Sequence, residues 1–446
     1  MKPDVPHILL VNPWIHDFAA YDFWAKPLGL LTLAALLKGH GFNVSYIDCL
    51  DRFHPCGARS DPHARWGRGP YLKTRIAKPA VLADVPRHFS RYGILPEWLQ
   101  ADLARVPKPD LILVTSLMTY WYTGLGETIS HLKAVYPDTP VVVGGIYATL
   151  CQEHAVRFSG ADRVVSGPGE AQLFQTVGEL TGFDVRPHVD PEDLNAYPYP
   201  SLELQHRIAY VPLMTSRGCP FRCAYCASHI VSPKFLRRDA AQVFEEIRYW
   251  HAAYGARDFV FYDDALLVDA EAYAQPLLEA IIGAGLDLRF HTPNAVHIRE
   301  ISRRIAGLMA KAGFKTLRLG LETTLFEKRR DLDRKVTAAE FTRAAGFLRA
   351  AGFGQENVGA YLLAGLPGQS LAPLEASIAT VKACGITPVL AYYSPIPHTA
   401  LWPAAVASSR YDLASDPLLT NNSILPCRKE AFDWATLSHL KNLAAP

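Results

Sequence analysis

Residues 216–226 read Ser216-Arg-Gly-Cys219-Pro-Phe-Arg-Cys223-Ala-Tyr-Cys226, and the spacing of the three cysteines governs how the rest of the chain is read. Thiolates with this spacing can wrap one face of an iron–sulfur cubane from a single loop, which leaves one iron without a protein ligand. An open iron suits a cluster that binds a substrate or cofactor directly. Structural zinc sites and electron-transfer clusters usually carry four protein ligands. The alternatives at this stage are a zinc site completed by His229 and cysteines that bind nothing. The chain has eight cysteines in 446 residues, three of them within eight positions. A disulfide framework of a small secreted domain is not distributed this way, so the clustering argues for metal in a reducing compartment. Cys49, Cys56, Cys151, Cys384 and Cys427 are scattered, and their spacing makes no second cluster.

On the C-terminal side of this loop, and just before it, apolar runs alternate with helix-length segments. The pattern predicts strands over 211–216, 258–262, 287–290, 316–319, 358–363 and 388–392, with helices over 240–254, 272–284, 302–312, 338–351 and 371–384. Six such units over 205–400 give a partial (β/α)6 TIM-like barrel, in which the chemistry sits at the C-terminal ends of the strands. On the N-terminal side, apolar runs at 7–12, 42–48, 111–115, 141–145 and 163–165 alternate with helical segments, which predicts a Rossmann-like parallel sheet over 1–186. An irregular insert rich in Arg, His and Pro lies over about 50–109 and reads as a lid or binding loop. Four prolines mark a linker over 187–204, and 401–446 is a C-terminal extension that would cap the barrel or meet substrate. The fold class is therefore α/β throughout.

Lys plus Arg number 45 against 43 Asp plus Glu, so the chain lacks the large basic field that holds a nucleic-acid backbone. The longest apolar stretch, 27–37, is too short to span a bilayer, and the first residues lack the pattern of a signal peptide. These features predict a soluble, cytoplasmic protein with no nucleic-acid or membrane partner. Two adjacent acids, Asp263 and Asp264, fall at the end of the second barrel strand, where carboxylates are more often functional than elsewhere.

The triplet Cys219, Cys223 and Cys226, with Tyr225 before the last cysteine, resembles the CxxxCxxC motif of the radical S-adenosylmethionine (SAM) superfamily. The resemblance implies that the amino and carboxylate groups of SAM chelate the open iron of a [4Fe–4S] cluster. It implies further that an electron from the cluster breaks the sulfonium bond and that a 5′-deoxyadenosyl radical abstracts hydrogen from a substrate. Gly320 and Glu322 resemble the family's Gly-x-Glu segment beside SAM, with Arg334 in a matching position downstream. Gly365, Leu366 and Pro367 resemble its loop by the adenine, and Tyr225, Asp263 and Asp264 complete the SAM contacts expected here. No catalytic residue is assigned.

Taken with the barrel, the first domain resembles the cobalamin-binding domain that precedes the barrel in one large class of this superfamily. The residues that match are Asn12, Pro13 and Trp14 after the first strand, Ser116 and Leu117 after the third, Gly144, Gly145 and Tyr147 after the fourth, and Gly167 and Glu170 after the fifth. One departure is that the Asp-x-His-x-x-Gly motif, which supplies a lower histidine ligand to cobalt in many corrinoid domains, is absent; His16-Asp17 sits in the right loop in the reverse order. The resemblance implies a cobalamin-dependent radical enzyme, with methyl transfer to an unactivated carbon as its expected reaction. The alternatives are a cobalamin-independent oxidoreductase or cyclase with a vestigial corrinoid domain, and a non-catalytic iron–sulfur or corrinoid sensor. The expected partners are a small-molecule substrate and a low-potential electron donor such as flavodoxin or ferredoxin.

Overall fold

The structure is a computed structural model that describes residues 5–327, 332–427 and 434–445. The chain forms two units: one runs to Ala209 and takes in Asp416–Thr420, and the other spans Tyr210–Ser415 and the residues from Asn421 onward. No helix among the described residues is long and apolar enough to cross a membrane.

The first unit contains β1 (His7–Asn12), β2 (Ile15–Asp17), α1 (Leu28–Gly39), β3 (Asn43–Asp48), β4 (Lys73–Arg75), β5 (Ser90–Tyr92), α2 (Pro96–Leu103) and β6 (Leu111–Val114). They are followed by α3 (Tyr122–Val135), β7 (Val141–Val143), α4 (Ile146–Leu150), α5 (Gln152–Phe158), β8 (Arg163–Val164) and α6 (Gly169–Thr181). The main sheet has the order β3-β1-β6-β7-β8 with every neighbouring pair parallel. Strand side chains alternate cleanly between two cores. Leu9, Val11, Ile112 and Val114 meet α2, α3 and α4 on one face, while Ile8, Leu10, Leu111 and Leu113 meet α1 and α6 on the other. Each such side chain contributes about 1.5–3 kcal/mol when fully buried, so burial on both faces explains why these strands are continuous apolar runs. The order of the sheet reverses between β1 and β6, which opens a crevice at their C-terminal ends, the place where ligands bind in sheets of this kind.

The insert is ordered. Its strands β4 and β5 pair antiparallel with each other, and β5 pairs antiparallel with β2, in a small second sheet. Arg52 ties the layer together through Asp22 at 3.1 Å and the Gly67 carbonyl at 2.6 Å, and the Arg68 guanidinium lies over the Trp24 ring. Strands of three residues are too short to show periodicity, which is why the sequence reads as irregular here.

The second unit contains β9 (Val211–Leu213), β10 (Ser216–Arg217), α7 (Ser228–Val231), β11 (Leu236–Arg237), α8 (Ala240–Tyr254), β12 (Asp258–Phe261), α9 (Ala274–Gly283) and β13 (Arg289–His291). Then come α10 (Arg303–Ala312), β14 (Phe314–Glu322), α11 (Ala338–Ala350), β15 (Val358–Ala364), α12 (Leu371–Ala383), β16 (Thr387–Tyr392), α13 (Trp402–Ser408) and α14 (Trp434–Ala444). The sheet order β16-β15-β14-β13-β12-β9 is parallel throughout and follows the chain, so β9 and β16 remain as free edges. This is the expected open six-stranded α/β barrel. In the C-terminal extension, α14 docks on the outer layer, where Lys382 donates to the Leu443 carbonyl at 3.0 Å and His439 pairs with Glu375 at 2.9 Å.

Candidate functional site

The cysteine loop leaves the C-terminal end of β9 and is pinched at its base by the antiparallel pair β10 and β11 (Ser216↔Arg237, Arg217↔Leu236). Gly218 sits in this neck at φ +81, and a Cβ there would stand 2.5 Å from the Lys234 carbonyl oxygen, so the neck admits glycine alone. Between the cysteines the backbone is pinned on both sides: Ala224 N donates to the Leu332 carbonyl at 2.8 Å, and its own carbonyl accepts from Leu401 N at 2.9 Å. Cys226 N donates to the Cys223 carbonyl at 3.1 Å, and the Cys226 sulfur accepts from Ser228 N at 3.5 Å.

All three cysteines are free thiols. Burial pushes the Cys219 and Cys223 thiols up, Cys223 to about 11, against the pull of the nearby Lys335 ammonium. Metal binding at this loop therefore has to displace protons. Among the described residues no three His, Cys, Asp or Glu side chains converge where one metal ion would bind. A cubane needs no such convergence, because each thiolate takes a different iron. The donor set, one loop of three thiols with a cation beside it, fits a cluster.

Around this loop the structure sorts the expected SAM residues. Asp263 is 3% exposed and fully engaged: its carboxylate accepts from Thr215 N (3.0 Å), Thr215 Oγ1 (2.6 Å), Ser216 N (2.6 Å) and Ser216 Oγ (2.7 Å). It locks the end of β9 to the end of β12. Asp264 is exposed beside Ser228. Gly320 and Glu322 lie inside β14, which is longer than the predicted 316–319, at a register shift against β15. Glu322 is 7% exposed and sits at φ +62, a conformation that costs about 1–3 kcal/mol for a residue other than glycine and tends to mark a functional position.

Arg334 is exposed, and its backbone carbonyl accepts from Arg299 at 2.8 Å. The cation at this site is the next residue. Lys335 Nζ donates to Tyr225 Oη at 3.2 Å, lies 3.9 Å from Glu322 Oε1 and sits 5.6 Å from the centre of the Tyr225 ring. Burial would lower the Lys335 pKa, but Glu322, Cys223 and Asp333 hold it above the usual lysine value. Sequence reading missed Lys335 because it stands 110 residues from Tyr225 and carries no motif of its own. The Gly365–Pro367 turn is held from within: Gln369 Oε1 accepts from Gly365 N at 2.7 Å and Leu366 N at 3.2 Å, while its Nε2 donates to the Leu363 carbonyl at 2.8 Å. Gly365, Leu366, Leu371, Leu425, Cys427 and Leu437 line an apolar cavity of about 380 Å³ beside this turn.

In the first unit the expected residues gather at the C-terminal edge of the sheet. Asn12, Pro13, Trp14, Ser116, Leu117 and Tyr147 surround one depression, and Gly144, Gly145, Gly167 and Glu170 line the neighbouring apolar cavity of about 140 Å³ with Leu33, Val142 and Leu173. At φ +100, Gly145 would place a Cβ 2.3 Å from the Ser116 carbonyl oxygen, so glycine is obligatory there. Ser116 Oγ donates to the Gly144 carbonyl at 2.7 Å, and its own carbonyl accepts from Ile146 N at 2.8 Å, which ties the third and fourth strand ends together. Trp14 and Tyr147 are buried core residues, with Trp14 Nε1 donating to the Ile94 carbonyl and Tyr147 paired with His154; they form the floor of the edge. His16 is buried, with its Nε2 2.7 Å from Glu127 Oε2. The edge offers glycine backbone and an apolar cleft, which fit a large flat ligand.

A model of the Radical SAM superfamily matches residues 213–381, and a model of the B12 binding domain matches residues 96–174. The chain is 25% identical over 351 residues to an uncharacterized methyltransferase of Pyrococcus horikoshii, covering 71% of this chain and 74% of that one. It is 22% identical over 450 residues to the cytidylyl-2-hydroxyethylphosphonate methyltransferase of Streptomyces wedmorensis, covering 85% and 78%. Its fold matches the radical SAM methyltransferase TsrM of Kitasatospora setae, solved with cobalamin and a [4Fe–4S] cluster, at a TM-score of 0.65 and 19% identity over 90% of this chain and 75% of that chain. A match to the cobalamin-dependent radical enzyme OxsB has a TM-score of 0.58 at 14% identity, over 90% and 55%. A radical SAM domain implies a [4Fe–4S] cluster and SAM, and a B12-binding domain implies cobalamin. The cysteine loop on its barrel and the glycine-lined edge of the parallel sheet, matched in turn by these two models, place the chain in the radical SAM superfamily, in the class with an N-terminal B12-binding domain.

Proposed function

We propose that this enzyme is a cobalamin-dependent methyltransferase that acts on an unactivated carbon of a small molecule. The observation that carries the reading is the presence, in one chain, of a three-cysteine loop at the C-terminal end of an open barrel and a parallel sheet with a glycine-lined ligand edge. Two relatives named as methyltransferases support it. When bound, the cluster and SAM supply a carbon-centred radical oxidant, and methylcobalamin supplies the methyl group.

The chain's own residues position these groups. Cys219, Cys223 and Cys226 hold three corners of the cluster, and the pinned backbone at Ala224 keeps their spacing. Glu322 and Lys335, 3.9 Å apart, form a paired acid and base suited to the amino and carboxylate ends of SAM, with Tyr225 fixing the lysine. Gly365, Leu366 and Pro367 with the adjoining apolar cavity take the adenine side and exclude water there. In the first unit Gly144, Gly145, Gly167 and Glu170 line the corrinoid cleft, while Asn12, Pro13, Trp14, Ser116, Leu117 and Tyr147 form its floor. Glu127 holds His16 at 2.7 Å, so that side chain would stay with the protein and not reach a bound corrinoid. A low-potential donor of the flavodoxin or ferredoxin type, in the cytoplasm, completes the reading.

The test is anaerobic reconstitution with iron, sulfide and hydroxocobalamin, followed by incubation with reductant and SAM carrying a deuterated methyl group. One cluster and one corrinoid per chain, with label passing to the corrinoid, are the expected results. A cluster without corrinoid would turn the reading toward an oxidoreductase or cyclase. Absence of any cluster would remove the radical chemistry altogether.

A further inference from the structure

Strand β14 divides its side chains between two environments. Leu317, Leu319 and Leu321 are fully buried on one side. Thr316, Arg318 and Gly320 therefore share the opposite face, with Glu322 beyond the register shift. A guanidinium on that face is expensive to desolvate, and the usual remedy is a carboxylate. Three acids of the barrel strands are committed elsewhere: Asp258 takes Arg289 at 2.8 Å and His291 at 3.1 Å, Asp263 takes the backbone and hydroxyls of Thr215 and Ser216, and Glu322 takes Lys335.

Among the described residues Arg318 has no carboxylate partner. Its side chain donates to the Leu317 carbonyl at 3.0 Å and meets the Tyr361 phenol. Tyr361 is itself oriented by donating to the Pro293 carbonyl at 2.7 Å. Room for the guanidinium is kept by Gly359 on the next strand, where a Cβ would stand 3.2 Å from Arg318 Nη1 and 2.7 Å from Val389 Cγ2. The result is a planar fork that, among the described residues, meets no acid, half-buried and held beside a fixed phenol. Such a fork matches an oxyanion in two-point contact.

We propose that Arg318, with Tyr361, binds an acidic group of the substrate, so that the substrate class is a small molecule carrying a carboxylate, phosphate or phosphonate. The inference rests on the reading of the barrel as the reaction chamber. Arg318 precedes Glu322 by four strand residues, about 13 Å along the strand. That separation makes it a second anchor, distinct from the groups beside Glu322, and leaves space for the carbon to be modified between the two.

The test uses reconstituted holoprotein, with and without SAM, titrated with sodium phosphate, sodium acetate or sodium chloride at matched ionic strength while the thermal midpoint is read. A saturable rise with phosphate indicates a phosphate or phosphonate substrate, and one with acetate a carboxylate. Either rise should vanish in Arg318→Gln and need at least about tenfold more anion in Arg318→Lys, which keeps the charge and loses the fork. The Lys variant carries the test if the Gln variant does not fold. No rise beyond that of chloride, or an equal rise in both variants, overturns the proposal. So does a tenfold loss of SAM affinity in Arg318→Lys, which would put the guanidinium on SAM itself. Iron content measured on the same samples separates the two claims: protein without a cluster defeats the functional reading, whereas cluster-bearing protein indifferent to both anions defeats this inference alone.

Discussion

Two strand ends that carry glycine, residues 144–145 in the first unit and 320–322 in the second, are shaped by opposite means. At the first, backbone makes the room: Gly145 admits no Cβ, and Trp14, Tyr147 and Ser116 around it are spent on the core or on neighbouring strand ends. At the second, a side chain is held out at a conformational cost, with Glu322 at φ +62 facing Lys335 and, through it, Tyr225. Surfaces of backbone and apolar wall suit a broad, rigid macrocycle whose contacts are mainly van der Waals. Opposed charges suit a small zwitterion that has to be oriented.

The comparison breaks most completely if the cysteines are not the heart of the second site. Replacing Cys219, Cys223 or Cys226 with Ala should bring iron to background and abolish reductive SAM cleavage, while corrinoid retention by the first unit persists. Gly145→Val attacks the other side. It should destabilise the first unit by about 3 kcal/mol or more in denaturant titrations, from the positive φ and the clash with Ser116, and release corrinoid while the cluster remains.

A sharper cut falls within the second site. Asp263→Asn should cost about 2–4 kcal/mol of stability, because it leaves one of the buried Thr215 or Ser216 donors unsatisfied, and should leave the affinity for SAM within about twofold. The reverse pattern would make Asp263 a ligand residue. Lys335→Met should weaken SAM binding about tenfold, or 1.4 kcal/mol, where Arg334→Met has no comparable effect. Equal effects in the two variants would erase the distinction drawn between them.

The smallest effect concerns the first unit alone. His206 donates to Asp51 at 2.6 Å; this hydrogen bond raises the His206 pKa. Burial pushes the Asp51 carboxyl up, yet His206 and Lys26 hold it below its usual value. A raised histidine stabilises fully below its unfolded pKa of about 6.5 and loses the contribution as pH rises through the folded value. His206 is half-exposed, so the loss should stay under about 1 kcal/mol and disappear in His206→Gln.

Much of this was legible along the chain. The three cysteines lie within eight residues, so one loop presents them whatever else the fold does. Every strand of the two parallel sheets is located, though ends differ at β9, β13 and β14, because burial imposes a pattern on a stretch of sequence that is itself contiguous. The insert escaped because its strands are three residues long and one of them, β5, pairs with β2, far away in the chain. Arg334 is named from its place in the resemblance alone, whereas Lys335 is marked only by its contacts with Tyr225 and Glu322, which come from distant parts of the chain.

Taken alone, the amino-acid sequence determined the residue types, their local spacing and the two alternating patterns, since these depend on neighbours a few positions apart. The tertiary structure decided which charges are free to act. Asp263 is consumed by Thr215 and Ser216 nearly fifty residues earlier, Lys335 reaches Tyr225 from 110 residues later, and Arg318 is left without a carboxylate among the described residues. Whether a charged group is neutralised depends on what lies within a few ångströms, and in an α/β barrel those neighbours come from other strands.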